Sequence, residues 1–174
     1  MIPGFIGHRG RFTPDGTALV LSGRFGDQPG QLLRLDLATG ETAPIPGTSG
    51  IAGNFEISPD GQWLALRVGN GPTSLLPVGG GELRPIPGMR PEDELLPWTM
   101  ETKAVLVATI GPPPTRIDRI DLETGDRTPF REVMPPDTSG VFGMRGFRFL
   151  PDGKTFGYTF GVQLDELYLV ENLR

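Results

Sequence analysis

Apolar and polar positions along the chain fall into short blocks, with no long amphipathic stretch. "TALVLS" (Thr17–Ser22), "WLALRV" (Trp63–Val68), "AVLVAT" (Ala104–Thr109) and "TFGYTF" (Thr155–Phe160) are each six residues long, and each meets a Gly within two residues of its end. They are apolar at nearly every position, which marks strands covered on both faces. A shorter run leads into the second of them, Asn54–Ser58, and the two are separated by the corner Pro59-Asp60-Gly61. In such a corner Pro presets φ, Asp bonds the local backbone and Gly takes the positive φ that closes a hairpin. The two strands are therefore antiparallel neighbours.

The same corner stands at Pro14-Asp15-Gly16, 45 residues before Pro59, and again at Pro151-Asp152-Gly153. Between them Met100-Glu101-Thr102 holds the frame without the corner chemistry, and Pro151 follows 51 residues later. A third strand follows each pair, at Gln31–Leu37, Thr73–Val78, Arg116–Leu122 and Glu166–Val170. Next come the tight turns "ATG", "GGG" and "ETG", introduced twice by a matching Asp, Asp36 and Asp121, and then the tails "APIPG", "RPIPG" and "TPFREVMPP". Units of about 40 to 50 residues with four short strands each are the pattern of β-propeller blades. The expected fold is all-β: a β-propeller of four-stranded antiparallel blades, four of them present, with the first strand of each innermost. The units run over residues 5–47, 48–88, 89–135 and 136–174 of a single partial propeller domain. The full ring is expected to hold about six to eight blades.

Composition sharpens this picture. With 26 Gly and 19 Pro in 174 residues, long helices are disfavoured. The net charge is −5, there are 14 Arg but only two Lys, and no basic run provides the footprint of a nucleic-acid binder. Zero Cys excludes disulfides and thiol chemistry. No apolar segment approaches the roughly 18 residues of a membrane span, so direct membrane insertion is not expected.

With these motifs in hand, the chain resembles the TolB-like, Pro-Asp-Gly-repeat (PD40, WD40-like) propellers. More narrowly it is similar to the C-terminal part of the propeller that follows the kinase domain of many bacterial serine/threonine kinases. The residues that carry this are "RIDLETGDRTPFREVMPPDTSGV" (Arg119–Val141) and the ending "PDGKTFGYTFGVQLDELYLVENLR" (Pro151–Arg174), in which Phe156, Tyr158 and Leu167–Val170 match the family ending. The resemblance implies a non-catalytic sensing or protein-binding module. If the parent kinase is anchored in a membrane, the module lies outside the cytoplasm. No His-Arg-Asp, no Asp-Phe-Gly and no phosphate loop with its strand Lys occurs in the chain.

Chemistry-bearing residues are sparse. His8 is the only histidine, and no Gly-x-Ser-x-Gly elbow stands anywhere to give it a nucleophile, so it reads as a loop residue. Asp15, Asp60 and Asp152 recur, but their place inside the corner explains them as turn formers. The innermost strands carry Arg9, Arg11, Glu56, Arg145 and Arg148. This is a cationic set, unlike the carboxylate and histidine cage of a metal-dependent hydrolase. No metal and no cofactor is expected. Guanidinium groups around a channel mouth can bind carboxylate or phosphate bidentately, which makes His8, Arg9, Arg11, Arg145 and Arg148 the candidate ligand-binding set. The plainer reading pairs them with Glu56, Glu92, Asp93 and Glu94 or leaves them in water. Trp63 and Trp98 read as core filling.

Two functions remain open: a binding module presenting a propeller face to a protein partner or small ligand, and the gating propeller of a prolyl-oligopeptidase-like hydrolase. Self-association is expected through the edge of the Glu166–Glu171 strand, which is apolar on both sides.

Overall fold

The computed structural model describes residues 2–51, 53–69, 71–98, 102–150 and 154–165. Among them every regular element is a strand. The first sheet runs in the order β1 (Phe5–Phe12), β2 (Ala18–Phe25), β3 (Gln31–Asp36) and β4 (Thr42–Pro44). The second holds β5 (Phe55–Ile57), β6 (Trp63–Arg67), β7 (Thr73–Pro77) and β8 (Arg84–Pro85). β9 (Asp93–Leu95), β10 (Ala104–Thr109), β11 (Thr115–Asp121) and β12 (Arg127–Val133) form the third, and the pair β13 (Val141–Phe149) and β14 (Phe156–Val162) forms the fourth. All neighbours are antiparallel, as in consecutive propeller blades. The strand expected at Glu166–Val170, with the sticky edge assigned to it, lies outside the described residues, as do most of the third and fourth corners.

The first two corners are built as their sequence dictates. Asp15 accepts hydrogen bonds from Thr17 N at 3.0 Å and from Thr13 Oγ1 at 2.6 Å, while Gly16 sits at φ +69°. Asp60 accepts from Gln62 N at 3.0 Å and from Ser58 Oγ, with Gly61 at φ +70°. The corner is closed by Thr13 N donating to Ala18 O and Ser58 N to Trp63 O, each at 2.9 Å. The same bond recurs as Leu150 N to Thr155 O, while in the third blade Leu96 N donates to Leu106 O at 3.0 Å, two residues further along the second strand. β10 meets β11 as β2 meets β3, with Ala104 opposing Asp121 as Ala18 opposes Asp36, so Met100, itself outside the described residues, keeps the frame of Pro14 and Pro59.

The turn after the third strand is equally local. Asp36 Oδ1 accepts from Ala38 N and Thr39 N, both at 2.9 Å, and Asp121 Oδ1 from Glu123 N and Thr124 N at 2.9 and 3.0 Å. Hydrogen bonds to the ionised form depress a carboxyl pKa. Asp15 is held down to about 2, chiefly by Thr13 Oγ1, and Asp36 and Asp121 are lowered by the backbone amides they cap. A pKa depressed in the folded state stabilises above the unfolded value of about 3.9, and that contribution is lost as pH falls through the folded value. The urea unfolding midpoint should therefore hold steady above about pH 5 and drop between about pH 4 and 2, with part of the drop removed by Asp15→Asn. Parallel curves for the two proteins would contradict this role for Asp15.

Three apolar clusters sit at three blade-to-blade contacts. Val20 and Leu32 of the first sheet meet Phe55, Leu64, Leu66 and Leu76 of the second. Ala65 and Leu75 meet Val105, Val107 and Ile120. Leu106, Ala108, Ile117 and Val133 meet Met144 and Phe147. β6 and β10 are thus covered on both faces, because alternate residues of one strand enter clusters on opposite sides. β2 differs: Ala18, Val20 and Ser22 are buried, while Leu19 and Leu21 on the other face are only half-buried beside Phe12, which is 67% exposed. The half-buried Trp63 and Trp98 pack on the second cluster, as expected of core fillers, and the Arg84 guanidinium lies 4.4 Å from the centre of the Trp63 ring system.

Candidate functional site

The first strand of every blade brings a charged side chain into its pairing with the second strand. Arg11 opposes Val20, Glu56 opposes Ala65, Glu94 opposes Ala108 and Arg148 opposes Gly157. Arg11, Glu56 and Arg148 each lie two residues before the donor that closes their corner, whereas Glu94 aligns in register with Arg9. Arg9, Glu56, Glu94 and Arg148 then line one cavity, which places β1, β5, β9 and β13 around a common space.

One side of this space is internally neutralised. Glu56, with a side chain 12% exposed, accepts from Arg9 Nη2 at 3.0 Å and from Arg11 Nη2 at 2.9 Å, and its second oxygen accepts from Arg11 Nε at 3.2 Å. Arg9 Nη1 donates to Asn54 Oδ1 as well, and Arg9 Nε is buried without a partner. Burial, and next the guanidinium of Arg11, lower the Arg9 pKa; Glu56 opposes them, Arg148 lowers it further and Glu94 raises it.

The other side is built differently. Asp93, whose side chain is fully buried, takes both terminal nitrogens of Arg127 and the amide of Arg90 at 2.7 Å. Arg127 Nη2 also reaches Asp118 at 2.7 Å, and Arg127 Nη1 the Gly88 carbonyl at 3.2 Å. This raises the Arg127 pKa, above all through Asp93. Next to Asp93, the half-buried Glu94 carries no ion pair among the described residues. Arg148 donates through Nη1 to the carbonyl of its neighbour Phe147 at 2.7 Å. The cavity between these groups measures about 400 Å³ and has apolar walls from Phe55, Leu95 and Ile110.

Of the residues singled out in the sequence, Arg9 and Arg148 line the cavity and Arg11 supports it through Glu56. His8 and Arg145 are exposed and do not line it. Asn54, Glu94 and the Asp93–Arg127 tie were not among the expected site residues. Among the described residues no group of three or more His, Asp or Glu side chains is arranged to hold a metal ion. No described helix is long and apolar enough to cross a membrane.

No family model and no curated protein matches the chain by sequence. Solved structures match by shape. The chain superposes on oligogalacturonate lyase from Vibrio parahaemolyticus with a TM-score of 0.62 at 19% identity, over 94% of this chain and 49% of that one. For TolB from Acinetobacter baumannii the TM-score is 0.58 at 16% identity, over 91% and 41%. For the Cps50 (Swd1) β-propeller domain of Myceliophteria thermophila it is 0.54 at 16% identity, over 91% and 51%. The chain therefore spans about half the length of the structures it matches, and at these identities the likeness concerns the fold: an all-β array of propeller blades, similar to TolB and WD40-type domains.

Proposed function

We propose that the chain is a non-catalytic binding module, one part of a larger propeller ring, that receives a small ligand or a protruding protein segment in the cavity at its inner strands. One observation carries this reading: each of the four innermost strands contributes a charged side chain to the same cavity. Concave sites with a few convergent polar groups and apolar walls are where ligands bind, and pockets of about 300–1,000 Å³ suit small ones. In this reading Arg9 and Arg148 contact the ligand, and Arg11 holds Glu56 beneath it. His8 and Arg145, which face solvent, are left for a protein partner at the rim. The half-buried Leu19 and Leu21 face of the first blade is where a further blade or a second copy packs.

The resemblance of the Pro151–Arg174 ending to kinase-attached propellers extends the proposal to a sensing role, in which occupancy of the cavity is relayed to an attached kinase domain. A TolB-like interaction protein is the alternative assignment for the same cavity. The test is a screen of small charged metabolites by protein-observed NMR. Shifts should concentrate on the amides of Asn54, Glu56, Glu94 and Arg148, with the ligand recovered chemically unchanged. Shifts confined to the outer strands, or turnover of the ligand, would overturn the reading.

A further inference from the structure

The charges that the four first strands bring to the cavity are not equivalent. On the side of blades one and two, Glu56 is saturated by Arg9 and Arg11, so that carboxylate has nothing to offer a ligand. On the side of blades three and four, a carboxylate and a guanidinium face the same cavity without pairing: Glu94 has no ion pair among the described residues, and Arg148 bonds only a backbone carbonyl there. Arg9 adds a buried Nε without a partner to the positive side. The Arg9 guanidinium lies within electrostatic range of both Arg148 and Glu94.

A lone anion would meet Glu94 as a repulsive neighbour, and a lone cation would meet Arg9 and Arg148. A ligand with both charges satisfies each pole, and charge-assisted hydrogen bonds are the stronger kind. Beside the charged groups the lining has an apolar part, from Leu95 and Pro91 and from Ile110, a side chain that is otherwise 55% exposed. A volume of about 400 Å³ holds an amino acid or a dipeptide and excludes a folded partner.

From this we infer that the cavity recognises a zwitterion of the amino-acid type with an apolar side chain, its carboxylate on Arg148 and Arg9 and its ammonium on Glu94. The inference rests on the cavity being the binding site, and it names the class of ligand. Calorimetric titration with three probes tests it: L-leucine, N-acetyl-L-leucine, which lacks the cation, and L-leucinamide, which lacks the anion. Leucine should bind at least about tenfold more tightly than either capped probe, and Glu94→Gln or Arg148→Gln should each weaken leucine by about tenfold. Glu94→Gln should leave N-acetyl-leucine unweakened, and Arg148→Gln should leave leucinamide unweakened. Arg116→Gln, at an exposed position that does not line the cavity, should change none of these. Thermal unfolding of each variant separates a lost contact from a lost fold. N-acetyl-leucine binding as well as leucine would overturn the zwitterion while leaving an anion-binding cavity. Absence of binding by all three probes would overturn it too, and the NMR screen would then decide separately whether the cavity binds anything.

Discussion

Arg127→Ala should unfold the protein more readily by about 3–5 kcal/mol, the range for removing one partner of a buried ion pair. The replacement strands two carboxylates at once: Asp93, with a side chain at 0% exposure, and Asp118, at 9%. Both carboxylates are then left largely out of water, and burial of an uncompensated charge costs more than the lost bond itself. Against a typical total stability of about 5–15 kcal/mol, such a loss is a large fraction. Urea unfolding gives the number, provided the slope with denaturant stays unchanged. Arg127→Met, which keeps the bulk of the stem, should be nearly as harmful, and adding Asp93→Asn and Asp118→Asn to it should recover much of the loss. A penalty below about 1 kcal/mol for Arg127→Ala would mean that the two carboxylates find other donors, and the tie would then be ornamental. The effect reaches the cavity as well. Asp93 and Glu94 are adjacent on β9, so loosening Asp93 releases the backbone that aims Glu94, and leucine affinity should fall although Arg127 does not line the cavity.

Which parts of this arrangement could be read from the sequence follows from the range over which each part is determined. The corners at Asp15 and Asp60 and the turns at Asp36 and Asp121 are settled within five residues, by an Asp accepting amides two or three positions on. The doubly covered strands β6 and β10 are legible for a similar reason, since an apolar side chain at every position needs no partner's identity to be interpreted. The pairing of Arg9 and Arg11 with Glu56 crosses 47 and 45 residues, yet it was foreseen as one option because all three stand on innermost strands. Arg127 had no such help. Its partners lie 34 and 9 residues away, on strands of the same blade, and "TGDRTPF" carries no mark that its Arg turns inward. Glu94 was considered only as a counter-ion, since nothing in the sequence shows that it faces a cavity without an ion partner.

The second large effect concerns the tails "APIPG" and "RPIPG", which look alike in sequence and should respond unequally to the same change. Gly47 and Gly88 both adopt positive φ, +80° and +71°, so an alanine at either place bears a left-handed backbone penalty of about 1–2 kcal/mol. Space around them differs. A Cβ on Gly47 would lie 3.5 Å from the nearest atoms, the Gly81 carbonyl oxygen and a Leu76 methyl, which is ordinary contact. A Cβ on Gly88 would lie 2.2 Å from the Gly125 carbonyl oxygen, and that atom belongs to the backbone of the turn after β11. Backbone cannot rotate aside as a flexible side chain does, so the whole Asp121–Asp126 turn must shift. Gly47→Ala should therefore cost about 1–2 kcal/mol, and Gly88→Ala about 4 kcal/mol or more, placing it among the rare severe substitutions. Equal losses in urea unfolding would refute the close approach of the two loops. The Gly88 carbonyl also accepts from Arg127, and Gly125 lies two residues before that arginine, so displacing either chain disturbs the tie to Asp93. Gly88→Ala and Arg127→Ala should then be non-additive, with the double variant recovering at least about 1 kcal/mol of the summed loss, because the second change finds the network already broken.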